Sequence, residues 1–173
     1  MEIELVDNLD YPVLAQISQL RAEVWQKTLP TSLFNNGLWT DEHDDHARHW
    51  VIISNNQVLA AARLCIHKTL EEVPYSQVYM DSKRLILPPI ASMNRLVINT
   101  VAQGNGLSKQ FDAIRINQAR KDKCCSVVVI VSDFTKQYRI NSLRKHGFRL
   151  ANKKRNIFDE TFGVLSPYVL NLT

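Results

Sequence analysis

RLVINTVAQGNGLSKQF, residues 95–111, sets an apolar, β-branched run against two glycines two apart and then a helical pattern. Only five glycines occur in the 173 residues, and two of them stand at this junction. A strand that passes through Gly104-Asn105-Gly106 into a helix makes an anion site. Glycine admits positive φ and lets a ligand approach the backbone, while the first N–H groups of the helix lack partners and its dipole favours negative charge. The same residues also suit a tight strand-to-helix turn with no ligand. Spacing excludes two common phosphate loops: the dinucleotide fingerprint G-x-G-x-x-G needs a third glycine where Lys109 stands, and no G-K-[ST] follows as the Walker A loop requires.

Working outward, the chain alternates strand and helix signals. Residues 2–6 form a short first strand, and Val13, Ile17, Leu20, Val24 and Trp25 recur at helical spacing in a helix that closes before Pro30. TSLFNNGLWTDE is a loop with Asn-Asn-Gly as its turn signal, and DEHDDHARH, residues 41–49, reads as a short polar helix. A hairpin follows: WVIIS, the turn Asn55-Asn56, then VLAAARLCIHK. Residues 70–89, with Pro74, Pro88 and Pro89, read as a long irregular loop. SMNRLVINT is a strand, Leu107 to about Lys121 a helix with Phe111, Ile114 and Ala119 inward, and SVVVIVS a strand buried on both faces. KQYRINSLRKH is a helix capped by Gly147, and two strands, roughly 149–157 and 163–172, close the chain. The expectation is one compact α/β domain over residues 1–173.

Composition narrows the partners. The net charge is +4, but Lys and Arg are scattered, and the one tight group, Lys153-Lys154-Arg155, reads as a solvated run. That favours a small anionic ligand over an extended nucleic-acid track. Cys65 stands alone and Cys124-Cys125 are adjacent and structural in character, so neither a zinc pair nor a disulfide set is indicated and a reducing compartment is expected. The acidic N-terminus MEIELVDNLD lacks a secretory pattern, and no apolar run suits a bilayer, so a soluble, cytoplasmic protein without membrane partners is expected. His43, His46 and His49 step by three, yet Asp41, Asp44 and Asp45 compete for them and no separated ligand completes a site, so no metal is expected.

With these elements in order, the chain resembles the GNAT superfamily of acyl-CoA N-acyltransferases, whose hallmark is a strand followed by [R/Q]-x-x-G-x-[G/A] at the start of a long helix. Gln103-Gly104-Asn105-Gly106-Leu107-Ser108 fits at Gln103 and Gly106, adds Gly104 at a frequent position, and departs at Ser108, a residue small enough to keep the close approach. The resemblance spans nearly the whole chain and implies a mixed, mostly antiparallel central sheet flanked by helices. It further implies that Gln103, Gly104, Asn105, Gly106, Leu107 and Ser108 wrap the pyrophosphate of acetyl-CoA or another acyl-CoA, and that the pantetheine arm lies along Leu96, Val97 and Ile98 as an added strand would. Such proteins commonly dimerise through an edge strand or the hairpin.

Acyl transfer to an amine needs a neutral nucleophile, a polarised thioester carbonyl and a proton for the thiolate. Members of the family commonly supply that proton from a tyrosine four residues before a final Gly-Phe pair. Here that place is Leu143; the nearest hydroxyl on the helix is Tyr138, with Ser142 one turn along. Tyr138 is the candidate general acid, beside the alternative that it is an ordinary packed or surface tyrosine. No Asp or Glu stands on SMNRLVINT to act as base, which leaves Asp133 or the acidic stretch near Asp45. A narrower resemblance links Arg21, Trp25, Trp39 and Arg63-Leu64 to the front half of acyl-homoserine-lactone synthases. On that mapping Arg21, Trp39, Asp41, Asp44 or Asp45, and Arg63 line the acceptor side. Those synthases usually lack the glycines and take acyl carrier protein, whereas Gly104 and Gly106 suit CoA.

The reading is therefore an enzyme that moves an acetyl or other short acyl group from acyl-CoA directly to a primary amine of a small acceptor, without a covalent enzyme intermediate. One rival is a signal synthase using acyl carrier protein and an S-adenosylmethionine-like acceptor. The other is a non-catalytic acyl-CoA-binding module, motivated by the absent tyrosine and strand acid.

Overall fold

The computed structural model describes residues 2–6, 10–133, 137–152, 156–157 and 163–172, with backbone alone at residues 31, 156 and 157. The Lys153-Lys154-Arg155 run and Lys136, read as the first residue of the helix that Gly147 caps, lie outside the described residues. The fold forms two compact units, Met1–Cys65 with Asn94–Phe111, and Ile66–Met93 with Asp112–Thr173.

In the first unit, β1 (Glu4–Leu5) pairs antiparallel with β2 (Arg48–Ser54), and β2 with β3 (Gln57–His67). The hairpin turn is set by Asn55 and Asn56 at φ 51° and 60°. Two successive left-handed residues match the right-handed strand twist, and asparagine tolerates them best after glycine. Helix α1 (Tyr11–Trp25) opens with Asp10, whose side chain accepts the Val13 N–H, and carries Pro12 in its first turn, where no N–H partner is lost. Its Ile17 and Leu20 pack with Val6, Val51, Val58, Ala61 and Val97. The later part of β4 (Ile90–Ile98) and the start of α2 (Leu107–Lys121) complete the unit.

In the second unit, the first residues of β4 run parallel to β5 (Ser126–Ser132), in register from Ile90↔Ser126 to Ser92↔Val128. Parallel neighbours require a crossover, which α2 supplies. β8 (Val164–Asn171) lies antiparallel to the whole of β5, and β6 (Arg149–Leu150) and β7 (Asn156–Ile157) pair with β8 in turn. Helix α3 (Gln137–Lys145) ends in a Schellman motif: Phe148 N–H donates to the Leu143 carbonyl, Gly147 N–H to that of Arg144, and Gly147 sits at φ 91°. Asp112, fully buried on α2, accepts from Arg115 and from Arg139 of α3, so the carboxylate is neutralised where it is desolvated. Leu70, Val73, Tyr79, Ile86, Ile90, Val128 and Val169 form this unit's core.

In the strand order β1-β2-β3-β4-β5-β8-β6, with β7 beside β8, β4 and β5 run parallel, whereas β1 with β2, β2 with β3, and β8 with β5, β6 and β7 are antiparallel. This is the mixed, mostly antiparallel sheet with helices that the sequence predicts. Three segments differ from expectation. The one strand read over 149–157 is, among the described residues, two short strands, β6 and β7, with Ala151 and Asn152 in neither. Residues 41–49 form no α-helix: a 3-10 turn spans Asp44–His46 and β2 begins at Arg48. Asp44 takes the Asp41 N–H and Asp41 takes the His43 N–H, side-chain bonds that compete with helical ones. Residues 70–89 contain a 3-10 stretch, Ser76–Leu85, and bury Leu70, Val73, Val78, Tyr79 and Ile86, so their apolar side chains pack into the protein.

Candidate functional site

The glycine junction begins where β4 ends. Asn99 donates its N–H to the Leu59 carbonyl and caps a 3-10 turn, Thr100–Ala102, by accepting the Val101 N–H. Gln103 follows in extended conformation and its side-chain amide donates to the Ile98 carbonyl. Gly104 and Gly106 have φ 85° and 69°, and the Asn105 amide between them donates to the Ala102 carbonyl at 3.1 Å. The Gly106 carbonyl then accepts from Lys109 and Gln110, so α2 starts there. A Cβ built on either glycine meets nothing within 4 Å. The glycines therefore serve the left-handed backbone rather than a packed neighbour, and residues 103–106 are all exposed. The junction thus offers an open backbone and the N–H groups of a helix start, the arrangement that receives phosphate. Along β4, Val97 is buried in the core cluster while Leu96 and Ile98 are half-buried.

The same unit contains a buried ionic cluster. Arg21 of α1 donates through Nη1 to both Asp44 oxygens at 2.9 Å and to the Trp39 carbonyl at 3.3 Å. Arg63 of β3 reaches Asp41 Oδ1 at 2.5 Å, Asp44 Oδ1 at 2.8 Å and Asn94 Oδ1 at 2.6 Å. Arg95 of β4 donates to Asp41 Oδ2 at 2.6 Å and 3.1 Å, and its guanidinium lies 3.8 Å from the centroid of the Trp39 ring. Trp25 and Phe34 meet Trp39 edge-on. Arg95 itself has φ 52°, a left-handed residue inside a strand.

Burial is the largest influence on every carboxyl here and disfavours ionisation, yet the arginines outweigh it. Bonds and charges from Arg63 and Arg95 hold Asp41 well below the usual carboxylate range, and the charges of Arg21 and Arg63 lower Asp44. Burial lowers the Arg21 guanidinium to about 10, with Asp44 opposing and Arg63 reinforcing the shift, so it stays charged at neutral pH. Burial and then the Arg21 charge lower His49. Its Nδ1 lies 3.4 Å from Arg21 Nη2 and its Nε2 3.3 Å from the Asp44 carbonyl, which selects the neutral ring with Nδ1 accepting and Nε2 donating. The named groups thus set three guanidiniums against two carboxylates. Arg21 is 1 % exposed and its Nε has no partner among the described residues.

The structure brings Arg21, Trp39, Asp41, Asp44 and Arg63 together and leaves Asp45 outside, exposed to solvent. Sequence reading missed Asn94, Arg95 and His49. The one local signal was the three-residue step from Asp41 to Asp44, which lets two carboxylates of one turn meet arginines from separate elements. His43, His46 and His49 share no helix; His49 is buried in β2 and His46 is exposed. Among the described residues no group of three or more His, Cys, Asp or Glu is placed to hold a metal ion, and no helix is long and apolar enough to cross a membrane. In the second unit Tyr138, on α3, is 62 % exposed, and Asp133 is exposed with its N–H on the Val164 carbonyl.

No family model matches the chain, and no curated protein does. Solved structures do. BjaI, a CoA-dependent acyl-homoserine lactone synthase solved with SAM and isopentyl-CoA, is similar with a TM-score of 0.73 at 15 % identity over 99 % of this chain and 83 % of that one. The AHL synthase LasI is similar with a TM-score of 0.70 at 15 % identity, covering 99 % and 89 %. The IAA acetyltransferase from Bacillus cereus ATCC 14579 is similar with a TM-score of 0.61 at 11 % identity, covering 99 % of each chain. At these identities the likeness is one of fold, and that fold is the GNAT type.

Proposed function

We propose that this protein is an acyl-CoA-dependent N-acyltransferase that moves an acetyl or other short acyl group to a primary amine of a small acceptor. The observation that carries the reading is the open Gly104-Asn105-Gly106 junction, two left-handed glycines at the start of a helix that follows a strand. Support comes from the fold it shares with BjaI, a structure holding isopentyl-CoA and SAM. In this reading the N–H groups of Gln103 to Ser108 receive the pyrophosphate, and Leu96 to Ile98 accompany the pantetheine arm. Trp39 and Arg95 face the acceptor. Arg21 and Arg63, each 1 % exposed, brace that side through Asp41 and Asp44 rather than touching the acceptor. Asp44 takes the place read for Asp45.

Titration calorimetry with acetyl-CoA tests the reading, with dephospho-CoA and a long-chain acyl-CoA as comparisons. Saturable binding is expected; no heat with any of the three would sink it. The free thiol pKa of about 8.5 makes the CoA thiolate a modest base, so a proton donor helps it leave without being indispensable. Tyr138 is the proposed donor, its phenol exposed on α3. Tyr138→Phe should lower kcat by about tenfold to a hundredfold and leave acetyl-CoA affinity unchanged. Wild-type kcat in that variant removes Tyr138 from the mechanism.

A second reading is favoured by the Arg21–Asp44–Arg63–Asp41 cluster together with the likeness to two acyl-homoserine lactone synthases. It takes an S-adenosylmethionine-like acceptor and, unlike the CoA-dependent BjaI, an acyl carrier protein as donor. Turnover with acyl carrier protein but not with CoA thioesters would select it.

A further inference from the structure

Lys and Arg are scattered along the sequence but not over the fold. The second unit holds 15 of the 21 Lys and Arg and 8 of the 17 Asp and Glu, a net charge of +7 that leaves the first unit at −3. Arg115 and Arg139 are answered by Asp112, whereas Lys83, Arg84, Lys123 and Arg149 stand exposed. Hydrogen bonds within the unit bring these four to one end of it. Cys125 N–H donates to the Pro89 carbonyl at 2.9 Å and Leu87 N–H to Ser126 Oγ at 2.8 Å, so the chain after Lys123 lies against the chain after Arg84. The Asn171 amide on β8, oriented to satisfy both neighbours, donates to the Leu85 carbonyl and accepts from Arg149. Two leucines share that end. Leu85 and Leu87 are 41 % and 49 % exposed, and Ile86 between them is buried, with φ −118° and ψ 102°. Extended backbone sends alternate side chains to opposite sides. Ile86 therefore anchors the segment in this unit's core, and the two leucines project together into solvent.

We propose that this end of the second unit docks on an anionic phospholipid surface, with Lys83, Arg84, Lys123 and Arg149 over the headgroups and Leu85 and Leu87 entering between them. The inference is independent of the transferase reading. A negative lipid surface attracts each Lys or Arg that lies within a Debye length of it, and salt screens that attraction. Leucine side chains held among such cations reach the boundary of headgroup and acyl chain, where apolar surface leaves water. Nucleic acid would attract the same cations, but its phosphates give leucine nothing to pack on, so the two residue types together favour lipid. Two neighbouring carboxylates offset part of the charge: Asp81, exposed in the same 3-10 stretch, and Asp122, which accepts from Gln118. The expectation of no membrane partner rested on the lack of an apolar run. Among the described residues no helix is long and apolar enough to cross a membrane, and contact with a surface requires none.

The test is co-sedimentation of the full chain with vesicles of phosphatidylcholine alone and of phosphatidylcholine with phosphatidylserine at about three to one. Wild type should partition onto the anionic vesicles at least about tenfold more strongly than onto the neutral ones, and raising salt from about 0.1 M to about 0.5 M should release most of it. The double variant Lys83→Glu, Arg84→Glu should bind the anionic vesicles at least about tenfold more weakly. Leu85→Ser with Leu87→Ser, which leaves the charge unchanged, should also lose about tenfold. Lys27→Glu, an exposed cation of the first unit, should stay within about twofold of wild type. Thermal unfolding checks that each variant is folded; if the leucine pair is not, the charge pair decides with Lys27→Glu beside it. Absent or composition-independent sedimentation of wild type overturns the proposal. So does an equal loss in Lys27→Glu and the charge pair, which would make net charge alone the cause. Binding of a poly-glutamate peptide without binding of vesicles would assign the surface to an acidic protein and overturn the lipid contact.

Discussion

Asp44→Ala should destabilise the protein by about 3–5 kcal/mol, a loss large enough to leave a substantial fraction unfolded in mild urea. The carboxylate accepts from Arg21 at 2.9 Å and Arg63 at 2.8 Å, and both arginines are 1 % exposed. Deleting it leaves Arg21 desolvated without its carboxylate and beside the Arg63 charge, with Asp41 alone to answer the arginines, a cost greater than the net value of the ion pairs themselves. Asp45→Ala, one residue away and exposed, should change stability by no more than about 0.5 kcal/mol. Equilibrium urea unfolding of the two variants measures the contrast, and equal midpoints would show that the cluster carries no stability. The same chemistry fixes the response to acid. Asp41 and Asp44 have folded-state values below their unfolded ones, so the stability they contribute is fully present above about pH 4 and is lost as pH falls through the depressed values. His49, lowered by burial, adds to the loss because it must take up its proton at low pH in a site already crowded with guanidinium.

Gly106→Val should raise the Kd for acetyl-CoA by at least about a hundredfold, roughly 2.7 kcal/mol. Two effects contribute. A β-branched residue at φ 69° is strained by about 1–2 kcal/mol, and its methyl groups would occupy the open space through which a phosphate reaches the backbone. Gly37→Val separates them, because Gly37 has φ 75° and likewise nothing within 4 Å of a built Cβ. Both variants should lose similar stability in thermal unfolding, while Gly106→Val alone loses the ligand. Equal acetyl-CoA affinity in the two would remove the glycine junction from the binding site.

What the sequence made legible was local. The Asn55-Asn56 hairpin, the glycine junction and the Gly147 cap each depend on residues within a few positions, and backbone conformations of that kind leave a signature in residue type. The ionic cluster left almost none. The hydrogen bonds of its arginines join residues 18 to 54 positions apart, and Arg21 or Arg95 alone looks like any charged residue on an element surface. Residues 41–49 show how a local signal can mislead, since acid-rich, proline-free sequence suits a helix until its carboxylates are taken by distant arginines and nearby N–H groups. The 70–89 segment conveys the same lesson from the apolar side: its prolines suppress regular structure, but Leu70, Val73, Tyr79 and Ile86 still pack into a core.

Arg95 answers to two unlike demands at once. Its left-handed backbone would be most comfortable as glycine or asparagine, whereas its side chain must reach Asp41 and place its guanidinium over Trp39. Glycine satisfies only the first demand, and lysine keeps the charge but has no planar face for the indole. Neither replacement serves both, so a change at position 39, 41 or 95 is felt at the other two.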